Sequence, residues 1–239
     1  MRRLLCILIT FTLAISVAIV LRCIVFGIYF IPHDMQAPVL RAGDRVLVRK
    51  WAYGIHLPWQ ENPLETESRA PEAGDWVAFR TPDSPGCPAS EGIGCLMAGP
   101  GDTVWVGPHL RVSPVRNYSR GCIWPLVIPR KGDCIKMSPW NVSLYARTIR
   151  SHEGAEVAVQ ADRLTWKGKP YRQFRFHKNY YWIYSGNARN LQDSRTLGFL
   201  PREAIVGQAT TLLYSLDRMK PWYSRLRTDR LLRPLEGRP

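Results

Sequence analysis

Acidic side chains are scarce in this chain. Against 33 Lys and Arg stand 19 Asp and Glu, so the 239 residues carry a formal net charge of +14. An excess of that size suits nucleic acid, an anionic membrane surface or an acidic partner. Nucleic acid is set aside by a second absence: the basic residues are scattered, and no finger, helix-turn-helix or RNA-binding signature accompanies them. The cysteines show no CxxC spacing and no accompanying His pair, which removes the usual zinc patterns. No cofactor and no metal are expected. Internal repeats and low-complexity tracts are missing too, and the length allows one large domain or two small ones. One further absence has chemical weight: no Ser, Thr or Cys lies between residues 31 and 40.

Charge of either sign is also missing from Leu4 to Leu21, a run of about 18 residues, just long enough to cross a bilayer as a helix. No small-x-small cleavage pattern follows it; Arg22, Cys23 and the bulky Ile24 to Ile31 come next. This reads as a retained anchor rather than a cleavable signal peptide. Arg2 and Arg3 ahead of the run favour a cytoplasmic N-terminus, so the main domain is expected outside an inner membrane crossed once. Arg22 would snorkel to the outer headgroups. Of six cysteines, Cys6 and Cys23 lie in or beside the anchor. In an oxidising compartment the others suggest disulfides, Cys87 with Cys95 and Cys122 with Cys134, although four cysteines allow three connectivities.

The rest reads as mainly β. IVFGIYFIP, residues 24–32, is apolar, β-branched or aromatic and reads as a strand or extended linker. Arg45 to Arg49 alternates polar and apolar after the Ala42-Gly43-Asp44 turn, and Gly74 to Arg80 repeats that turn-and-strand pattern. Residues 55–73 read as an irregular loop. Short apolar runs broken by Pro, Gly, Asn and Asp fill residues 107–183. Within them Ile128 to Asp133 and Ser143 to Ile149 suggest a strand leading to a short helix. Leu164 to Pro170 suggests a hairpin with Gly168-Lys169 at its turn. The tail from Thr210 begins as a strand and becomes basic, with Trp222, Tyr223, Leu226, Leu231 and Leu232 set among arginines. An interface-seeking segment and a solvated basic tail both fit it.

Two blocks carry a family resemblance. IPHDMQAPVLRAGDRVLVRKWAYG, residues 31–54, resembles the active-site entry of the type I signal peptidases, written I-P-S-x-S-M-x-P-T-L-x-x-G-D-x-[IV]-[LIV]-V-x-K-x-[AS]-Y-G. Pro32, Pro38, Leu40, Gly43, Asp44, Val46, Val48, Lys50, Ala52, Tyr53 and Gly54 fall in place. Residues 181–209 resemble the family's second block, with Asn187, Asn190, Asp193, Ser194, Arg195, Gly198, Phe199, Pro201, Ile205, Gly207 and Ala209 matching. Between them IGCLMAGPGD, residues 93–102, is similar to I-K-R-x-V-x-x-P-G-D, in register through Pro100-Gly101-Asp102. The resemblance implies a membrane-anchored serine protease that removes signal peptides, with a β-domain and a β-rich cap. It divides the chain at 1–23 (anchor), 24–106 (first part of the core), 107–180 (cap), 181–215 (second part of the core) and 216–239 (basic segment).

The family's chemistry needs a serine nucleophile activated by a neutral lysine, whose pKa desolvation lowers, together with donors for the oxyanion. On the ungapped blocks the nucleophile falls on Met35, the base on Gly94, the oxyanion hydroxyl on His33 and the lysine-orienting serine on Leu191. A thioether has no proton to lose and glycine has no side chain. All four positions are lost together, while Pro32, Asp34, Pro38, Asp193, Ser194 and Arg195 still frame the site. His33 and Asp34 read as a polar lip, since nothing nearby could be activated by them. Ser90 and Ser194 are weak substitutes as nucleophile. The leading expectation is a catalytically inactive relative that binds a signal peptide or an active signal peptidase without cutting. The runner-up is a working signal peptidase with an unrecognised nucleophile.

Overall fold

In the computed structural model, residues 2–32, 34, 39–54, 69–81, 90–107, 112–113, 124–184 and 193–235 are described. The chain begins with helix α1 (Arg2–Ile24). Its described side chains, Cys6 to Val17, are all exposed. Among the described residues no helix is long and apolar enough to cross a membrane. The crossing expected of Leu4 to Leu21 runs beyond that described set at both ends.

After α1 comes β1 (Phe26–Phe30), antiparallel to β2 (Asp44–Arg49), with Phe26 opposite Arg49 and Phe30 opposite Arg45. Successive strand side chains point to opposite faces, so the alternation in residues 45–49 buries Val46 and Val48 completely and leaves Arg45, Leu47 and Arg49 half-covered. β3 (Trp76–Arg80) departs from that one-sided pattern. Trp76 and Ala78 enter one apolar cluster while Val77 and Phe79 enter another, because this part of the sheet is covered on both faces. β4 (Glu91–Ala98) pairs with β3, setting Val77 opposite Gly94 and Phe79 opposite Gly92.

The chain then leaves the main sheet and builds small ones. β5 (Thr103–Val106), β6 (Val112–Ser113) and β7 (Trp124–Val127) form the first. β8 (Cys134–Lys136) is followed by α2 (Val142–His152), a meander of β9 (Val157–Gln160), β10 (Arg163–Trp166) and β11 (Lys169–Pro170), and then β12 (Gln173–Arg175), which pairs with β8. α2 is helical because Val142, Tyr145, Ala146 and Ile149 recur at helical spacing, and that stripe is the buried one. Tyr145 also donates its hydroxyl to the Val127 carbonyl at 2.7 Å and stacks on Phe199 at 5.2 Å between ring centroids.

The chain returns through β13 (Tyr180–Tyr184), the short helix α3 (Ser194–Leu197), β14 (Leu200–Pro201), β15 (Ile205–Ser215) and β16 (Arg233–Pro234). The main sheet runs β1-β2-β15-β3-β4-β13-β14, with β16 also on β15. The fold is mainly β, and its centre is β15, which lies between strands from the first half of the chain.

Three local expectations need correction. Residues 128–133 are not a strand: β7 lies just before them, and Asp133 Oδ2 accepts from Arg130 N at 3.0 Å in a turn where Gly132 has φ +94°. Pro129, lacking an N–H, suits that turn. The β10–β11 turn is Lys167-Gly168, one residue earlier than expected, with φ 48° and 75°, and Lys169 already pairs with Trp166. A Gly at the second left-handed position suits a tight hairpin. Of the two readings of the basic tail the solvated one does not hold, since β16 and Arg230, 3% exposed, dock on the sheet, while Trp222, Tyr223, Leu226, Leu231 and Leu232 stay exposed.

In the small-sheet region His152 packs 6.3 Å from the Tyr180 ring, while the neighbouring Glu153 carboxylate accepts from Tyr180 Oη at 2.7 Å and faces His177. Burial first, then the charge of Lys178, lowers the His152 pKa from 6.5 to about 4, against an opposing pull from Glu153. The unfolded chain therefore takes up a proton below pH 6.5 that the folded chain refuses until about 4. Its stabilising effect is complete above 6.5 and is lost as the pH falls towards 4. His152→Gln should flatten thermal stability across that window relative to the wild type. Parallel pH dependences in the two proteins would show that the imidazole is not held neutral.

Candidate functional site

The described residues on the two sides of the entry stretch are pinned together. Ile31 N donates to Asp44 O at 3.0 Å, Gly43 N to Ile31 O at 2.9 Å, and Asp34 Oδ1 accepts from Ala42 N at 2.8 Å. Asp34 thus braces the loop, and Pro32 stands exposed on its rim. His33, Met35 and Pro38 lie outside the described residues. At the end of the loop Asp44 is wholly buried. Its carboxylate accepts from Arg41 N at 2.8 Å, from Arg230 Nη2 at 2.6 Å and from Arg230 Nε at 3.3 Å.

Arg230 also donates to Val39 O at 2.8 Å, and Arg227 donates to Ala42 O and Ser215 Oγ, both at 3.1 Å. The Gly43-Asp44 pair of the sequence motif is therefore a docking point for the C-terminal segment. Gly43 has φ +95°, and a Cβ there would collide with the Leu216 carbonyl oxygen.

Gly94 lies inside β4, with its backbone buried between neighbouring strands. A Cβ built there would run into Ile183 Cγ2 and would also meet Phe79 Cε1 and Tyr184 O, both at 3.5 Å. Ile183 and Phe79 are themselves buried, at 1% and 0% exposure. A β-branched Ile is stiff at χ1 and cannot easily turn its methyl aside. The position expected to hold a base therefore lacks both an amine and the space for one.

Asp193 caps α3, accepting from Arg195 N at 3.0 Å, and binds the Arg195 guanidinium through Oδ2 at 2.8 and 2.5 Å. The guanidinium also lies 5.1 Å from the Tyr184 ring centroid. Ser194 is 2% exposed, and its Oγ accepts from Ile183 N at 2.8 Å. That hydroxyl fixes β13 and faces no solvent. Ser194 and Gly94 thus meet through Ile183. Leu40 and Ile31 share a cluster with Ile93 and Cys95, which brings the entry stretch to β4 on the face opposite the Gly94–Ile183 contact. Leu191 lies outside the described residues. Ser90 is joined to Thr81 Oγ1 at 3.0 Å through its hydroxyl and at 2.8 Å through its N–H.

The expected disulfides are not formed: Cys95 and Cys134 are free thiols. Cys95 is buried in the sheet core beside Trp76 and Ile93, where it packs as a small apolar group. Burial, followed by the charge of Asp75, raises its pKa to about 11, so it is not a nucleophile at neutral pH. Cys134 is exposed on β8. Cys87 and Cys122 lie outside the described residues. Spacing alone could not reveal that Cys95 falls on an inward strand position.

Sequence reasoning missed Ile183, Arg227 and Arg230. The arginines look like any others in a basic tail, and no local signal marks the methyl group that fills the space over Gly94.

Gly94→Ala should destabilise the fold by roughly 1–3 kcal/mol through overpacking. In a double-mutant cycle with Ile183→Ala, read by urea unfolding, the combined cost should fall below the sum of the single costs. Strict additivity would mean that the two groups do not collide. Arg230→Ala should cost about 3–5 kcal/mol, because it strands a buried carboxylate. A loss under about 1 kcal/mol, the usual worth of a surface pair, would show that Asp44 does not depend on it.

Comparison with known proteins places this geometry. A model of the family described as signal peptidase, peptidase S26, matches residues 4–214. The chain is similar to signal peptidase I of Pseudomonas aeruginosa, 28% identical over 203 residues, covering 81% of this chain and 66% of that protein. It is similar to signal peptidase I of Buchnera aphidicola subsp. Schizaphis graminum, 24% identical over 246 residues, covering 90% of this chain and 77% of that protein. Signal peptidase I of Aquifex aeolicus is 26% identical over 215 residues, covering 78% and 75% of the two chains. The chain thus spans just under two thirds of the Pseudomonas protein. Because the family match takes in the entry loop, β4 and the Asp193-Ser194-Arg195 turn in one continuous run, the chain belongs to the signal peptidase family, peptidase S26.

Proposed function

We propose that this chain is a signal peptidase relative that has lost the Ser-Lys dyad and holds a signal peptide, or an active signal peptidase, without cutting. One observation carries the reading: the buried backbone of Gly94 is covered by the Ile183 methyl, where any added side chain would collide. A Ser-Lys mechanism needs a neutral amine within reach of the nucleophile, and a site without room for that side chain cannot supply one. Met35 at the nucleophile position, His33 at the oxyanion position and Leu191 at the lysine-orienting position agree with it. The frame of Pro32, Asp34, Pro38, Asp193, Ser194 and Arg195 is kept, and a groove of this kind can bind an extended peptide by strand addition.

In this proposal residues 1–23 are a single-pass anchor in the inner membrane with the main domain on its extracytoplasmic side. The exposed apolar side chains of α1 support it: Ile7, Leu8, Phe11 and Leu13 have no protein to cover them among the described residues. Residues 24–106 and 181–215 form the peptidase-like core, 107–180 the cap and 216–239 the basic closing segment.

The full chain in detergent, incubated with a preprotein, should leave it uncut at a rate indistinguishable from buffer. Cleavage that disappears on substituting a single Ser or His would overturn the proposal in favour of an active peptidase with another nucleophile. A photoreactive residue in place of Met35 should capture a signal peptide or an active signal peptidase in intact membranes. Capture of neither would reduce the chain to a structural remnant.

A further inference from the structure

Residues 130–178 carry eleven Lys and Arg against four Asp and Glu. Two of those four carboxylates are occupied within the fold. Asp133 holds the turn at Arg130, and Glu153 accepts from Tyr180 and His177. The β10–β11 register sets Thr165 opposite Pro170 and Trp166 opposite Lys169. Tyr171 N donates to Leu164 O at 2.7 Å just past that register, and Arg163 and Arg172 line one cleft. Met137 N donates to Arg172 O at 2.8 Å and Lys136 stands opposite Gln173, so a third cation joins from β8.

Like charges gathered at one cleft repel. Lys136, Arg163 and Arg172 are all exposed, and among the described residues none is in an ion pair. They rim a cleft of about 790 Å³ whose lining also includes Met137 and Tyr171, with Asp162 the one carboxylate among its described lining residues. That volume is ample for several side chains of a ligand.

We propose that this cleft binds an extended acidic segment of a partner protein. The three cations come from β8, β10 and the link between β11 and β12, with Met137 and Tyr171 in the same lining, so they suit carboxylates spaced along a strand rather than one compact anion. The apolar wall between them suits the intervening side chains of a peptide that alternates acidic and apolar residues. Such a partner would relieve the repulsion between Arg163 and Arg172. It would also be attracted from a distance by the positive field of the region. The proposal stands apart from the candidate site at Gly94 and does not depend on whether that site cuts.

The test uses the full chain in detergent at low ionic strength and a labelled peptide alternating Glu with Leu, read by fluorescence anisotropy. The Glu peptide should bind, and its Gln-for-Glu counterpart should bind roughly tenfold more weakly or worse. Arg163→Glu with Arg172→Glu, both exposed changes that should leave the thermal melt intact, should weaken the Glu peptide by a similar factor. Arg225→Glu with Arg233→Glu on the C-terminal segment should leave it unchanged. Absence of binding, binding indifferent to the Arg163/Arg172 reversal, or equal loss with the C-terminal pair overturns the proposal. So does wild-type attachment to vesicles of anionic lipid that is lost on the Arg163/Arg172 reversal while the peptide fails to bind, since the face would then be a membrane contact.

Discussion

Asp44 and Arg230 are 186 residues apart, and both are removed from water. Neither charge could stay buried alone, because an unpaired carboxylate or guanidinium loses its hydration and gains nothing in return. Together they also satisfy Arg41 N and Val39 O, so the pair closes the turn that ends the entry loop. Arg227 adds a second hold on the same turn through Ala42 O. The C-terminal segment, which in composition is a basic tail, therefore acts as a strap over the frame of the candidate site. β15 provides the reach: it pairs with β2 on one side and β3 on the other before delivering the strap.

The described part of the candidate site is held by backbone bonds and ion pairs. The backbone bonds of Ile31, Gly43 and Asp44, the Asp34 brace and the Asp193–Arg195 pair need no reactive group to hold them. In the sheet, Gly94 lets Ile183 and Phe79 close over the strand, replacing what a long side chain would have filled with apolar packing. Glycine in a strand weakens it unless a neighbour packs over the exposed backbone, and here neighbouring strands provide that cover. Ser194 then ties Ile183 in place through its backbone N–H. A hydroxyl that could read as catalytic in a sequence serves as a fixed acceptor in the fold.

The small-sheet region has different physics. Its core is aromatic, with Phe176, Tyr180, Tyr145 and Phe199 buried together and Phe174 half-buried against them. Its surface is cationic. Stability comes from the rings, so the charges outside are free to serve recognition, and their mutual repulsion is a small cost against that burial.

Alternation in residues 45–49 marked β2, the apolar and β-branched run of residues 24–32 allowed β1 as a strand or an extended linker, and the strand start at Thr210 and the short helix at residues 143–149 fall within β15 and α2. Motif spacing pointed to the family and set Met35 and Gly94 at the expected nucleophile and base positions. Tertiary structure decided the rest. It buried β3 on both faces, moved a strand from residues 128–133 to 124–127, and set the hairpin turn at Lys167-Gly168. It also put Cys95 in the core as a free thiol, sank Arg230 beside Asp44 and laid Ile183 over Gly94. Each of these depends on what another part of the chain places opposite, and a residue's own neighbours in sequence carry no record of that.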